Sequence, residues 1–442
     1  MSLQQEAPKT TLKEDLIELA RSPRELWIVY AATFFEYLGI FSFLSTLKFW
    51  LSTDHHMSDT RAGWWAATFS TLLTLFVFLV GPLADAVGVR TMLLLSFALA
   101  AVTRLAMSLA PTPTLAIAAL LAFGFAYATT SPVLQTAVQK ATTKRSRAFG
   151  FSLWYVSFNL SGAISGPIID GARKYFLDPA TKKLVAKPVT LPLLGERAMT
   201  ANAAILGVGF VSAALAALVV LMLRKDFEHR ADPEEGPAKV KAHPLAALRE
   251  VMSDRAFWRF MLMLALLCLV RMMFQHMHFT WPKYVIREQG EDFPVGTLWS
   301  VNSMLILVLA PLGTALTRKR KPFDVLLLGA LISSASPFVL CFGSSMPFQV
   351  GMILLLTVGE LYLSPIGLSL VTKVSPARIV SMMMGMWFMS SFFGGILNGY
   401  LGTFYDKMPK EGFFLLLSGL GLLAGLSMWA FNKPLKKAIG DA

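Results

Sequence analysis

Residues 201–237 read ANAAILGVGFVSAALAALVVLMLRKDFEHRADPEEGP. The opening part, 201–223, carries no charged side chain. A helix needs about 20 such residues to cross the hydrocarbon core of a bilayer, and this run is long enough. The run stops at a dense mixed-charge stretch, which no bilayer interior tolerates. The break at 224 therefore divides a spanning segment from an aqueous connection. Working outward from it, the same alternation recurs to both ends of the chain. Upstream, apolar runs occupy 27–51, 63–84, 91–110, 114–137 and 148–170. Downstream they occupy 256–281, 295–317, 323–343, 347–372, 376–403 and 412–431. The pattern predicts about twelve crossings, six on each side of 224–255.

Composition excludes the main rivals. Of 442 residues, 55% are hydrophobic and only 15% charged, against about 25% charged in a typical soluble domain. Mean hydropathy is +0.58. A soluble enzyme, a disordered chain and a nucleic-acid-binding domain all fit this poorly. The net charge of +13 reads as basic loops on the cytoplasmic side of a membrane, with no nucleic-acid partner. Cys268 and Cys341 both fall in apolar runs, so neither a disulfide framework nor a metal site is expected, and no cofactor. Thr11 to Glu25 is charged, unlike a secretory signal.

With the N-terminus placed in the cytoplasm, more than half of the 40 Lys and Arg residues fall on the inner side. Examples are Lys140, Lys144, Arg145, Arg147, Arg318 to Lys321, Lys433 and Lys436. Both termini are then cytoplasmic. The connection 171–200 is the exception; its Pro and Gly turn signals predict a small folded hairpin outside. Leu245 to Met252 reads as an interfacial amphipathic helix. The expected organisation is an N-terminal segment 1–26, a six-helix bundle 27–223, a linker 224–255, a second bundle 256–431 and a tail 432–442. This is an all-α membrane protein of two facing bundles, in which a substrate site lies near the midplane between the halves. A monomer in the plasma (bacterial inner) membrane is expected.

The connection after the second segment reads Gly81-Pro-Leu-Ala-Asp85-Ala-Val-Gly88-Val-Arg90-Thr91. It resembles the Gly-x-x-x-Asp-x-x-Gly-x-Arg loop signature of the major facilitator superfamily. Gly88 permits a tight turn, and Asp85 and Arg90 suit a charged latch between helices. The counterpart in the second half, Leu316 to Lys321, is merely basic.

Only two acidic residues, Glu36 and Glu360, fall deep within apolar segments. An ion at that depth costs at least roughly 2.5 kcal/mol, so each must face a cavity, pair or carry a proton. Each is a candidate proton carrier, with a static interhelical ion pair as the plain alternative. Tyr37 beside Glu36 is a candidate cavity residue. On the seventh segment Arg271, Gln275 and His278 share one helix face, too polar for lipid; His278 is either a proton relay or an interfacial residue. Arg104 and Lys48 are expected to snorkel to the outer interface. The fifth segment carries Ser152, Tyr155, Asn159, Gly162 and Gly166 on one face. The glycines allow close helix approach, and Tyr155 and Asn159 face a polar space.

Further along, Gly359-Glu360-Leu-Tyr362-Leu-Ser364-Pro365-Ile-Gly367 closely resembles the tenth helix of proton-dependent oligopeptide transporters. Met383-Met384-Gly385-Met-Trp387-Phe388 is similar to that family's eleventh helix. Ser300-Val-Asn302 resembles its eighth, and Trp154-Tyr155-Val-Ser-Phe-Asn159 its fifth-helix signature. The strong match covers 296–405. The resemblance implies that Glu360 contacts a peptide amino end, that Asn302 helps bind the peptide, and that Tyr155 and Trp387 line the pocket. Two patterns depart from the family. Its first-helix Glu-x-x-Glu-Arg is here Thr33-Phe-Phe-Glu36-Tyr37, so no cation adjoins Glu36. Its fourth-helix Lys-Pro is Ser131-Pro132. Arg271 then supplies the positive charge from another helix.

The expected function is a proton-coupled symporter. It moves a small polar or zwitterionic solute, di- or tripeptides first, by alternating access, with protons and the lipid bilayer as its other partners. The alternatives are a proton-coupled antiporter exporting amphipathic compounds and a non-transporting scaffold or sensor.

Overall fold

A computed structural model describes residues 23–142, 147–192, 194–224, 255–317, 320–374, 380–433 and 436. The first bundle comprises α1 (Arg24–Phe49), α2 (Asp59–Val87), α3 (Val89–Ser108), α4 (Pro113–Ala141), α5 (Arg147–Phe176) and α6 (Ala201–Leu221). The second comprises α7 (Arg255–Phe279) with its short continuation α8 (Trp281–Gln289), then α9 (Val295–Thr317), α10 (Pro322–Ala335), α11 (Met346–Val374), α12 (Val380–Gly402) and α13 (Lys410–Ala430). Among the described residues eight helical stretches are long and apolar enough to cross a membrane. The expected twelve apolar runs each correspond to a helix.

Three details differ from the periodicity. α1 runs on through a π turn, Trp50–Asp54. The ninth run breaks into α10 and a 3₁₀ turn, Ser336–Cys341, where Pro337 cannot supply a helical N–H. The seventh run bends at Thr280 before α8. The amphipathic stretch 245–252 lies outside the described residues.

Within the first bundle α1 packs on α5 and α6, α3 on α4 and α6, and α2 on α4. Within the second, α7 packs on α12 and α13, and α10 on α11 and α13. The bundles meet along two seams, α5 against α9 and α2 against α12. Both seams are lined by small residues. A Cβ added at Gly166 would strike the Gly296 carbonyl, and one at Gly399 would strike Ala67. Removing the Cβ is what lets the backbones approach.

The expected hairpin is present. β1 (Lys187–Leu191) pairs antiparallel with β2 (Gly195–Met199). It lies at the distal end, opposite the start of α1 and the end of α13. There it reaches the second bundle through a hydrogen bond from the Leu184 N–H to the Glu291 carboxylate and through Lys182–Asp292 at 3.7 Å. Asp170 at the end of α5 accepts from the N–H groups of Gly296 and Thr297 at 2.8 and 2.6 Å. An acid of one bundle thus caps a helix of the other, satisfying donors that the helix cannot pair itself.

Gly88, between α2 and α3, has φ = 84°, a conformation costly for other L-residues. Arg90 donates to the carbonyls of Leu223 and Leu221 at 2.9 and 3.2 Å, fixing the C-terminal end of α6. Arg90 thereby ties the start of α3 to the end of α6; the Asp85 side chain, and with it the expected charged latch, lies outside the described residues.

Candidate functional site

The two deep carboxylates occupy opposite environments. Glu36 of α1 is completely buried, and so is Arg104 of α3. They form a two-pronged ion pair at 2.8 and 3.2 Å. Arg104 also donates to the Gly209 carbonyl of α6 at 3.2 Å and lies over the Phe123 ring at 4.7 Å. Its slot depends on glycine: a Cβ at Gly39 would come within 2.7 Å of the guanidinium. This corrects two expectations. Arg104 does not snorkel, and Glu36 does have a cation beside it, supplied by α3 rather than by position 37. The physical reason is burial: separating the two would leave each charge uncompensated away from water.

Glu360 of α11 is only half-buried. Its carboxylate accepts from Asn302 Nδ2 of α9 at 3.1 Å, and the same amide donates to Thr357 Oγ1 at 3.0 Å. Tyr155 of α5 and Arg271 of α7 both lie within electrostatic reach of Glu360. Arg271 hydrogen-bonds Ser391 of α12. Residues expected at one site from four separate helices therefore converge between the bundles, all partly exposed.

Other expected residues are placed as follows. Asn159 is buried and donates to the Tyr155 carbonyl at 2.9 Å, a bond within its own helix. Gln275 is half-buried on the Arg271 face. Tyr37 is buried and edge-on to Phe158 at 4.6 Å. The Trp387 side chain lies outside the described residues. His278 is half-buried, and its Nδ1 accepts from Trp299 Nε1 at 3.1 Å.

Sequence reasoning missed the distal network. Lys48 is buried rather than snorkelling. It donates to Thr280 Oγ1 at 3.3 Å, and the same hydroxyl meets His276 Nδ1 at 3.0 Å. Asp59, at the start of α2, pairs with both Lys283 and Arg287 of α8, and Arg287 also pairs with Asp406 at 2.7 Å. Burial alone would raise the Asp59 carboxyl, but Lys283 and Arg287 together hold it below the usual carboxylate range. The charges were visible in the sequence, but nothing in their spacing pairs residues more than 200 positions apart.

Comparison with known proteins follows this geometry. The family model for the Major Facilitator Superfamily matches residues 29–398. A di-/tripeptide transporter of Lactococcus lactis subsp. cremoris is 27% identical over 168 residues, 34% of each chain. A peptide transporter of Yersinia enterocolitica is 35% identical over 130 residues, 25% of each chain. A multidrug efflux pump of Mycolicibacterium smegmatis is 28% identical over 189 residues, 42% of this chain and 37% of that one. The matched region thus spans about a third of these relatives' length. Among solved structures, a POT family transporter in complex with 5-aminolevulinic acid superposes with a TM-score of 0.75 at 15% identity, covering 93% of this chain and 97% of that one. The model match and the two-bundle architecture agree: the chain belongs to the Major Facilitator Superfamily.

Proposed function

We propose that the chain is a proton-coupled symporter for small zwitterionic solutes, di- and tripeptides first, working by alternating access. The observation that carries this reading is the half-buried cluster of Glu360, Asn302, Tyr155 and Arg271 between the bundles. A carboxylate and a guanidinium in electrostatic reach of one another, both partly open, suit the two ends of a zwitterion. Both charges belong to the second bundle. The first bundle offers Tyr155, Tyr37 and Asn159, because the charge of Glu36 is already matched by Arg104.

In this reading Glu360 is the group that exchanges a proton, and while protonated it still accepts from the substrate amino group through its carbonyl oxygen, so proton and substrate are carried together. A carboxylate desolvated in the closed state favours the proton, and hydration on opening releases it. Arg271 takes the carboxylate with its planar fork. Glu36 and Arg104 form a strut that keeps α1, α3 and α6 moving together. The moving bodies are 27–223 and 256–431, joined by 224–255, with both termini cytoplasmic and a monomer as the working unit in a plasma membrane. The peptide-transporter relatives support this substrate class, and the multidrug pump relative supports a proton-driven exporter as the second reading.

The test is uptake into liposomes. Under an inward proton gradient the purified protein should accumulate a labelled dipeptide, with unlabelled di- and tripeptides competing. Absence of accumulation, together with gradient-driven movement of a cationic dye in the opposite sense, would replace the symporter by the exporter.

A further inference from the structure

A layer of rings lies immediately beyond the central cluster, on its distal side. Phe158 sits three residues past Tyr155 on α5, Trp299 three residues before Asn302 on α9, and His278 three residues past Gln275 on α7. Phe158 and Trp299 are therefore about one helical turn, roughly 5 Å, from a residue of the cluster, and His278 is two turns, roughly 10 Å, beyond Arg271. The rings touch in sequence. Phe158 meets Phe41 of α1 at 5.0 Å, Phe41 meets Trp299 at 5.3 Å, and Trp299 meets His278 at 5.3 Å. The Phe41–Trp299 contact crosses from one bundle to the other. At the same level α5 presses on α9: a Cβ at Gly162 would strike Ser303. Trp299 is 3% exposed. Phe41 and Trp299 thus bridge the two bundles on the distal side of the cluster.

One hydrogen bond holds Trp299 in that layer, and its polarity is fixed. An indole N–H can only donate. The histidine nitrogen 3.1 Å away must accept, so it carries no proton while the bond exists. A doubly protonated imidazole has two donors and no acceptor and cannot make this contact.

We propose that His278 is the positioning residue of the distal gate, and that its protonation releases Trp299 and opens the layer. The charged groups on the middle and distal parts of the surrounding elements are Glu36 and Lys48 on α1, Asp170, Arg173 and Lys174 on α5, Arg271 on α7, Lys283, Arg287 and Glu288 on α8, and Lys410 and Glu411 on α13, which packs on α7; α9 and α12 carry none. His276, Tyr37 and Tyr155 are the neighbouring titratable groups. Among the described residues none of these hydrogen-bonds or ion-pairs with His278, so its partner is the indole. The closed layer excludes a proton that the open layer accepts. By linkage, lowering the pH shifts the equilibrium towards the open layer. Protons on the distal side would then admit substrate to the cluster. This rests on the symporter reading for its purpose, but the gate itself can be read without any peptide.

The test places spin labels at Thr114 and Ser345, exposed at the distal ends of the two bundles, in the full chain with Cys268 and Cys341 replaced by alanine. As pH falls from about 8 to about 5, where imidazole titrates, the long-distance population should grow, by at most about tenfold per pH unit for one linked proton. His278→Asn, or His278→Gln if that variant fails to fold, keeps an acceptor that cannot be protonated. It should hold the short distance at both ends of the range. Trp299→Phe should show the long distance even at the upper end. An unchanged pH response in His278→Asn, or a wild-type distance that ignores pH, overturns the proposal. Failed dipeptide uptake with this pH response intact would count against the symporter reading alone.

Discussion

Glu36 and Glu360 are the same side chain at similar depth, one in each bundle, and the structure treats them in opposite ways. Glu36 is fully enclosed, gripped by both prongs of Arg104 in a slot cut by Gly39 and Gly209. Glu360 is half-open and held by one neutral amide. The difference teaches that depth alone does not mark a working group. An ion that must never leave its partner is given a matched guanidinium and no water. On the proposed reading, an ion that changes partners is left with a neutral donor and a charge within reach.

The sharpest way to break this comparison is to remove one half of the sealed pair. Arg104→Ala strands a buried carboxylate and should cost roughly 3–5 kcal/mol of stability. The double variant Glu36→Gln/Arg104→Met should recover much of that, because it removes both charges. Denaturation in detergent reads this. A single variant as stable as the wild type would mean that Glu36 reaches water after all, and the contrast would collapse.

A smaller effect belongs to the open site. Arg271→Lys keeps the charge but loses the planar fork. It should weaken dipeptide binding by about tenfold or more, near the 1.5–3 kcal/mol of a hydrogen bond to a charged group, while leaving stability close to normal. Titration calorimetry checks the first part and a melting curve the second. Lost stability with intact binding would move Arg271 from the substrate site to the scaffold.

Legibility followed the same division. The apolar runs announce twelve helices because spanning length is a local property, and the run boundaries fell within a few residues of the observed helices. Gly88 was legible because its turn is local. The cluster was legible where polar residues recur on one face, as in Arg271, Gln275 and His278. What could not be read were pairings across distant sequence. Arg104 looked like a residue free to snorkel because its partner sits 68 positions away, and Lys48 because Thr280 sits 232 away. The ring layer was likewise hidden, since nothing local in the sequence brings Phe41, Phe158, Trp299 and His278 together.

The smallest effect comes from the distal network, which unlike the sealed pair is partly exposed. Asp59 is held below the usual carboxylate range by Lys283 and Arg287. Its contribution is present above the unfolded carboxylate pKa and is lost as pH falls through its folded value. Being partly exposed, it is worth up to about 1 kcal/mol. Asp59→Asn should therefore remove a shallow acid dependence of stability, read by melting curves at several pH values. A variant that keeps that dependence would assign it elsewhere.

The central claim is that Glu360, and not Glu36, carries the proton. The direct measurement is dipeptide transport in liposomes by Glu360→Gln, comparing accumulation under an inward proton gradient with exchange of substrate at equal pH. The variant should lose accumulation and keep exchange, at reduced affinity. Accumulation at the wild-type level by Glu360→Gln would contradict the account.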